Sequence, residues 1–233
     1  MKKIVIGFLF AALFVFSAAA IWITAMGYRM FAEALENKSL KEAAEEIREQ
    51  ESFTLLNELP DTYLKAIIAA EDRRFFSHRG VDPVSIARAV WHNLLSGSLA
   101  EGGSTITQQL AKNLFFTQEK SFVRKAAEVF MAVRIESEYS KEEILELYVN
   151  CIYFGDGYYC VKDASMGYFG KAPEDMDDYE CTMLAGIPNA PSVYAPTENI
   201  ELARERQKQV VECMVRCGFI SAEGEVGCAG SAA

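Results

Sequence analysis

A chain of 233 residues with 33 acidic and 23 basic side chains, a formal net charge of −10, lacks the basic surface that general nucleic-acid binding needs to displace counterions from phosphates. Its length suits one domain with a sizeable core plus an anchor, and leaves no room for a second large enzyme domain. Any anionic ligand must be held by a local cluster of bases that departs from the overall balance.

Residues 4–28 carry no charged side chain, a run longer than the roughly 20 helical residues that cross a bilayer. Lys2 and Lys3 precede it, and Arg29 is soon followed by Glu33 and Glu36. The positive-inside bias therefore places the N-terminus in the cytoplasm and the rest outside, as a single-pass protein of the cell membrane. A cleaved signal peptide is the competing reading, with Ser17-Ala18-Ala19-Ala20 as its small-residue cleavage site. The apolar run continuing through Ile21-Trp22-Ile23 to Met26 favours a retained anchor over residues 1–29. Ser39-Leu40-Lys41-Glu42 reads as a capping box opening a charged helix to about Gln50, within a solvated spacer over residues 30–52.

Pro60 then opens a helix in which Leu64, Ile67 and Ile68 form an apolar row that Glu71 continues. A carboxylate on a buried stripe is partly desolvated, and its raised proton affinity suits it to general-base work near neutral pH. A helix-end ion pair with Arg73 or Arg74 is the other reading. Asp82-Pro83 starts a further helix with Val84, Ala87, Val90, Trp91, Leu94 and Leu95 at helical spacing, either a core face or a lip that dips into a membrane before the pliant Ser96-Gly97-Ser98. His92 reads as a surface or capping residue.

Gly102-Gly103-Ser104 permits a tight turn, with Ser104 a suitable N-cap for a helix that carries Thr105, Gln108, Gln109 and Lys112 on one face. The polar row is either solvated or, beside the unpaired N–H groups of a helix start, turned to an anion. From Lys112 to Lys125 the charge balance inverts: Lys112, Lys120, Arg124 and Lys125 face only Glu119. Ser121 caps a helix to about Glu136 with Phe122, Ala126, Val129, Phe130 and Val133 on its expected core face. Arg124 and Glu128 stack at i, i+4 on another face with Met131 and Ile135, as a surface pair or a partly covered one.

Ser140 to Glu143 forms a second capping box, and Lys141 on the stripe of Ile144, Leu145 and Tyr148 must snorkel or find an acid. A turn-rich stretch with Gly155 and Gly157 leads to a short helix over 163–168, stopped by Gly170, and to an acidic, solvent-facing loop over 172–178. Residues 187–196 are too rich in proline for a helix or a central strand. A last helix spans about Glu198 to Cys217, and the tail after Gly224 is loose. All six cysteines (Cys151, Cys160, Cys181, Cys213, Cys217, Cys228) fall in the last third of the chain. They read as small core residues, with disulfides as the alternative and zinc disfavoured because no histidine lies at ligand spacing.

These motifs in this order resemble the peptidoglycan glycosyltransferases of glycosyltransferase family 51, in their membrane-anchored monofunctional form. The resemblance covers residues 53–221, followed by a tail over 222–233. It rests on Glu71-Asp72-Arg73 with Phe75, His78 and Gly80; Gly103-Ser104-Thr105-Ile106-Thr107-Gln108-Gln109-Leu110 with Lys112-Asn113; Arg124-Lys125 with Glu128; Lys141 with Ile144-Leu145, Tyr148 and Asn150; and Ala190-Pro191-Ser192 with Tyr194 and Pro196.

It implies a mainly α, lysozyme-like domain with a small membrane-facing lobe that polymerises lipid II and releases undecaprenyl diphosphate. Glu71 matches the general base and Glu128 a second essential carboxylate. Arg73, Phe75, His78, Ser104, Thr105, Gln108, Gln109, Lys112, Asn113, Lys120, Arg124, Lys125, Lys141, Tyr148 and Asn150 match substrate-binding positions. A divalent cation, Mg2+ or Mn2+, is implied, coordinated mainly through the substrate diphosphate, with its protein ligands unknown. The implied partners are lipid II, the lipid-linked growing chain and the membrane, with a separate transpeptidase or division and elongation proteins; none is a nucleic acid. Lys120 stands where some members have arginine, Cys160 where glycine is frequent, and no transpeptidase sequence follows. A lysozyme-like hydrolase or lytic transglycosylase, and an inactive wall-binding scaffold, are the rival readings.

Overall fold

In the computed structural model, which describes residues 2–96, 102–117 and 121–221, the N-terminal apolar run is one unbroken helix, α1 (Lys2–Asn37). It is long and apolar enough to cross a membrane. Its first turns are exposed. Further along, Ile23, Met26, Gly27, Met30, Phe31 and Ala34 are shielded at three-and-four spacing, so one stripe is packed and the rest is not. No break falls near Arg29.

The expected solvated spacer is instead part of the core. Ser39 and Glu42 do form the capping box of α2 (Leu40–Arg48), but Leu40, Ala43, Ala44 and Ile47 are buried. The charged residues that suggested a spacer occupy only the opposite face, as an amphipathic helix requires.

Next come α3 (Asp61–Glu71), α4 (Pro83–Ser96), α5 (Ile106–Phe115), α6 (Phe122–Glu138) and α7 (Lys141–Val149). After them lie α8 (Val161–Phe169), α9 (Asp178–Gly186), the single turn α10 (Pro191–Tyr194) and α11 (Ile200–Arg216). No strand occurs among the described residues, so the mainly α expectation holds. One core runs through the domain, with Tyr63, Ile67, Phe75, Ile106, Leu110, Met131, Ile135, Tyr148 and Leu184 fully or almost fully buried.

The core face of α6 is the reverse of the expected one. Ala127, Glu128, Met131, Ala132 and Ile135 point inward, while Phe122 and Val133 are exposed. Part of the other face serves α1: a Cβ at Gly27 would stand 2.5 Å from Ala126 Cβ, and the Phe130 ring lies 5.5 Å from Tyr28 and 6.0 Å from Phe31. Two apolar stripes on one helix, one for the core and one for the anchor, leave no single periodic face to read.

α9 was not expected, because it is buried almost all round and shows no amphipathic pattern. Most of the stretch over 187–196 is helical too, as a 3-10 turn (Ile187–Asn189) and then α10, each with proline in its first turn where the missing N–H costs nothing, while Ala195 and Pro196 lie beyond them. Cys160 fits its position with φ at −148°, as the N-cap of α8, and Gly170 ends that helix in the left-handed region. The loop over 172–178 is acidic, yet Pro173 and Met176 are buried. The five described cysteines are free thiols; Cys228, Lys120, the segment 97–101 and the tail lie outside the described residues.

α4 behaves differently from the other long helices of the domain. Val84, Ile86, Val90, Trp91 and Leu94 are exposed, so its apolar face is not a core face. Gly80, just before it, has φ of 84°, and a Cβ there would meet the Ala132 carbonyl at 2.9 Å. Gly80→Ala is expected to cost about 1–3 kcal/mol, through left-handed backbone strain and this clash, read as a lowered thermal midpoint.

Candidate active site

The ends of α3, α5 and α6 converge on a cleft of about 740 Å³, walled on its other sides by α4, the 188–189 turn and α11. Glu71 is the last residue of α3. Its Oε2 accepts a hydrogen bond from Gln109 Nε2 at 2.6 Å, while Oε1 is out of solvent and has no partner. The helix-end ion pair is not formed: Arg74 pairs with Asp82 at 3.1 Å, and Arg73 has no carboxylate partner among the described residues.

Burial raises the proton affinity of Glu71 above the ordinary carboxylate value of 4.5; the Gln109 hydrogen bond, Arg206 and Lys112 oppose it, and Asp72 adds to it. In the folded state the group therefore holds its proton to higher pH than in the unfolded chain. It contributes stability below 4.5 that is lost as pH rises toward the folded value. The acid limb of activity, which requires the carboxylate, is expected above pH 4.5. Gln109→Ala removes the donor that favours the charged form and should move that limb higher, measured as kcat/KM against pH.

Gln109 is itself oriented. Tyr148, fully buried, lies with its hydroxyl 3.3 Å from Gln109 Oε1, which fixes the amide so that its NH2 faces Glu71. Asp72 ties the next step of the chain: its Oδ2 lies 2.8 Å from His78 Nε2 and accepts from the Ile106 backbone N at 3.1 Å, at the start of α5. The N-cap of α5 is Thr105, not Ser104. Thr105 forms the capping box with Gln108 and donates to the Gly80 carbonyl at 2.6 Å.

Ser104 is thereby released to accept from Lys125 Nζ at 2.7 Å. Glu128, 1% exposed, receives Arg124 on one oxygen and Lys125 on the other, the latter at 2.8 Å. Its pairing is thus covered, not superficial. Lys112 stands near all three, half-buried; burial lowers its proton affinity, Glu128 raises it, and Arg124 and Lys125 lower it. Three cations against one carboxylate leave this wall positive inside an acidic chain.

Glu71, Arg73, Ser104, Thr105, Gln108, Gln109, Lys112, Arg124, Lys125 and Glu128 all line the cleft. The other residues that the resemblance singled out stand behind it. Phe75 is fully buried beneath Lys141, whose Nζ is 4.4 Å from the ring centre and 2.7 Å from Glu136 Oε1. Thr107 donates to the same oxygen at 2.6 Å, so this acid joins α5, α6 and α7. His78 is buried against Asp72. Asn113 reaches the Cys151 carbonyl at 3.4 Å, and Asn150 clamps Thr54 with bonds of 2.9 and 2.8 Å. These side chains hold the walls in place and do not line the cleft; Lys120 is outside the described residues.

Residues not anticipated also line it: Ser85, Arg88 and His92 from α4, Asn189, and Arg206, Cys213 and Arg216 from α11. Which basic residues of α11 turn inward depends on where that helix packs, and spacing along it does not show this. His92 is exposed at the cleft wall, more than the surface residue expected.

A shielded carboxylate facing fixed cations within one helical cleft suits group transfer from an anionic leaving group. The Transglycosylase family model matches residues 36–215, and the chain belongs to that family. It is 46% identical over 171 residues to penicillin-binding protein 1F of Bacillus subtilis, covering 73% of this chain and 24% of that protein. With penicillin-binding protein 1A of Neisseria lactamica it shares 46% over 167 residues, covering 72% and 21%. The chain thus spans about a quarter of the length of these relatives. The 2.6 Å crystal structure of penicillin-binding protein 1A from Haemophilus influenzae aligns over 78% of this chain and 17% of that one, at 21% identity and a TM-score of 0.47.

Proposed function

We propose that this chain polymerises lipid II into linear β-1,4 glycan strands in cell-wall synthesis, as an inverting glycosyltransferase. The observation that carries the reading is that the unpartnered Oε1 of Glu71 and the wall of Lys112, Arg124 and Lys125 belong to one cleft. Glu71 takes the proton of the acceptor sugar's 4-hydroxyl as that oxygen forms its bond to the anomeric carbon of the lipid-linked chain. The bond from that carbon to the diphosphate oxygen breaks with inversion, and undecaprenyl diphosphate departs with the electron pair. Dispersed negative charge on a diphosphate calls for fixed cations more than for a proton, which Lys112, Arg124, Lys125 and the Ser104 hydroxyl are placed to meet. Glu128 holds Arg124 and Lys125 in register.

No group of three or more histidine, cysteine, aspartate or glutamate side chains suited to a metal occurs among the described residues, and both Glu128 oxygens already face cations. These residues do not build a metal seat of their own. A divalent cation is therefore proposed only as a companion of the substrate diphosphate, and no step here runs through it.

The anchor and the exposed face of α4 support work at a membrane surface. α1 continues as helix through Ser17–Ala20 and packs on α6, which favours retention, and Lys2 and Lys3 favour a cytoplasmic N-terminus. Val84, Val90, Trp91 and Leu94 would dip among lipids beside the cleft. A hydrolase would use a similar acid but has no need of the cation wall.

Full-length protein in detergent, given lipid II and Mg2+ or Mn2+, is expected to yield long glycan and free undecaprenyl diphosphate. Shortening of preformed glycan would establish the hydrolase instead, and inertness across metals and detergents the scaffold.

A further inference from the structure

Behind the cleft, α6 carries a second shielded carboxylate that the mechanism above does not use. Glu136 follows Glu128 on α6, about 12 Å further along at 1.5 Å per residue. Its side chain is 7% exposed, and Oε1 accepts both from Thr107 Oγ1 of α5 at 2.6 Å and from Lys141 Nζ of α7 at 2.7 Å. Thr107 is fully buried. A hydroxyl in such a place costs desolvation unless it is paired, and its pairing is directional in a way that apolar contact is not.

Thr107 and Gln109 leave α5 on opposite sides, because two residues turn a helix by about 200°. Gln109 meets Glu71 at the front of α5, and Thr107 meets Glu136 at its back. A turn or slide of α5 would break one bond or both. The cation wall is itself assembled from the two helices, with Lys112 on α5 and Arg124 and Lys125 on α6, the latter pair held by Glu128. One hydrogen bond thus ties the helix that orients the base to the helix that carries most of the cations.

We propose that Thr107 and Glu136 are positioning residues that fix the register of α5 on α6, so that Glu71, Lys112 and the cations of α6 address one reacting bond. The proposal rests on the polymerase reading, in which proton removal and diphosphate departure take place in one aligned event. A misplacement of about 1 Å in such a site can cost about 100-fold in rate. Lys141 has a separate task, to balance the charge of Glu136 above the Phe75 ring, and the register does not depend on it, since Thr107 requires only an acceptor oxygen.

Three variants of the full-length protein in detergent separate register from stability. Thr107→Val keeps the shape and removes the donor, and should lower kcat about 10- to 100-fold while the KM for lipid II stays within about twofold. Glu136→Gln leaves Thr107 an acceptor but strips the charge opposite Lys141, so the thermal midpoint should fall while kcat stays within about threefold. Thr182→Val is the matched control: Thr182 is 1% exposed and accepts from Gln207 Nε2 at 2.8 Å between α9 and α11. Its midpoint should fall and its kcat should hold.

A second readout needs no turnover. The 13C signal of the Glu71 carboxyl is followed against pH, with Gln109 as its donor and Asp72, Lys112, Arg206 and Tyr148 as its titratable neighbours. The Gln109 bond favours the charged form, so loosening α5 in Thr107→Val should raise the midpoint, and neither Glu136→Gln nor Thr182→Val should move it. An unmoved Glu71 midpoint with wild-type kcat in Thr107→Val overturns the proposal. So does an equal loss of kcat in Thr182→Val, which would mean that any buried bond serves, or in Glu136→Gln, which would assign the effect to charge. Absence of glycan from the wild type would sink the polymerase reading alone, and the titration would still decide the register.

Discussion

Replacing Glu71 with glutamine is expected to lower glycan formation by roughly 10²–10⁴, the range over which a positioned base contributes. The substitution is nearly isosteric and leaves the amide of Gln109 a carbonyl oxygen to meet, so the cleft should keep its shape. It also removes a carboxylate that the fold shields from water, and the thermal midpoint at neutral pH should stay level or rise. Loss of turnover with an intact or raised midpoint separates chemistry from folding. Wild-type turnover in this variant would take Glu71 out of the reaction.

Glu128→Ala should act in the opposite proportion. Glu128 and Arg124 are a buried pair, with side chains 2% and 14% exposed, and Lys125 shares the same carboxylate. Removing the acid leaves a buried guanidinium beside a lysine and is expected to destabilise by about 3–5 kcal/mol, with activity lost as the wall spreads. Replacing both partners, as Arg124→Met with Glu128→Leu, should recover much of that stability and none of the activity. Denaturant melts and polymer yield measured on the same preparations would distinguish this from a Glu128 that reacts directly. In that case Glu128→Ala would lose activity at unchanged stability.

Much of the site was legible because its signals are local. Glu71 breaks an apolar row at a helix end, Lys112 to Lys125 inverts the charge of its surroundings, and the capping boxes at Ser39 and Ser140 follow from spacing alone. What was not legible depends on packing between distant segments. Phe75, His78, Lys141, Tyr148 and Asn150 belong to the motifs, but only the assembled fold shows them behind the wall. Thr105 took the cap from Ser104 because the Gly80 carbonyl and Asp72 meet the chain there. α6 carries one buried stripe and a second, partly covered one against α1, α9 is buried over most of its surface, and the cleft-lining arginines of α11 cannot be told from their neighbours by pattern.

The central claim is that Glu71 is a shielded, unpaired acid, and its titration measures this directly. With glutamate labelled by 13C at the side-chain carboxyl, the signal present in the wild type and absent in Glu71→Gln can be followed against pH. The account predicts a midpoint above the ordinary 4.5, moving higher in Gln109→Ala. A midpoint at or below 4.5 would mean a solvated or ion-paired carboxylate and would contradict it.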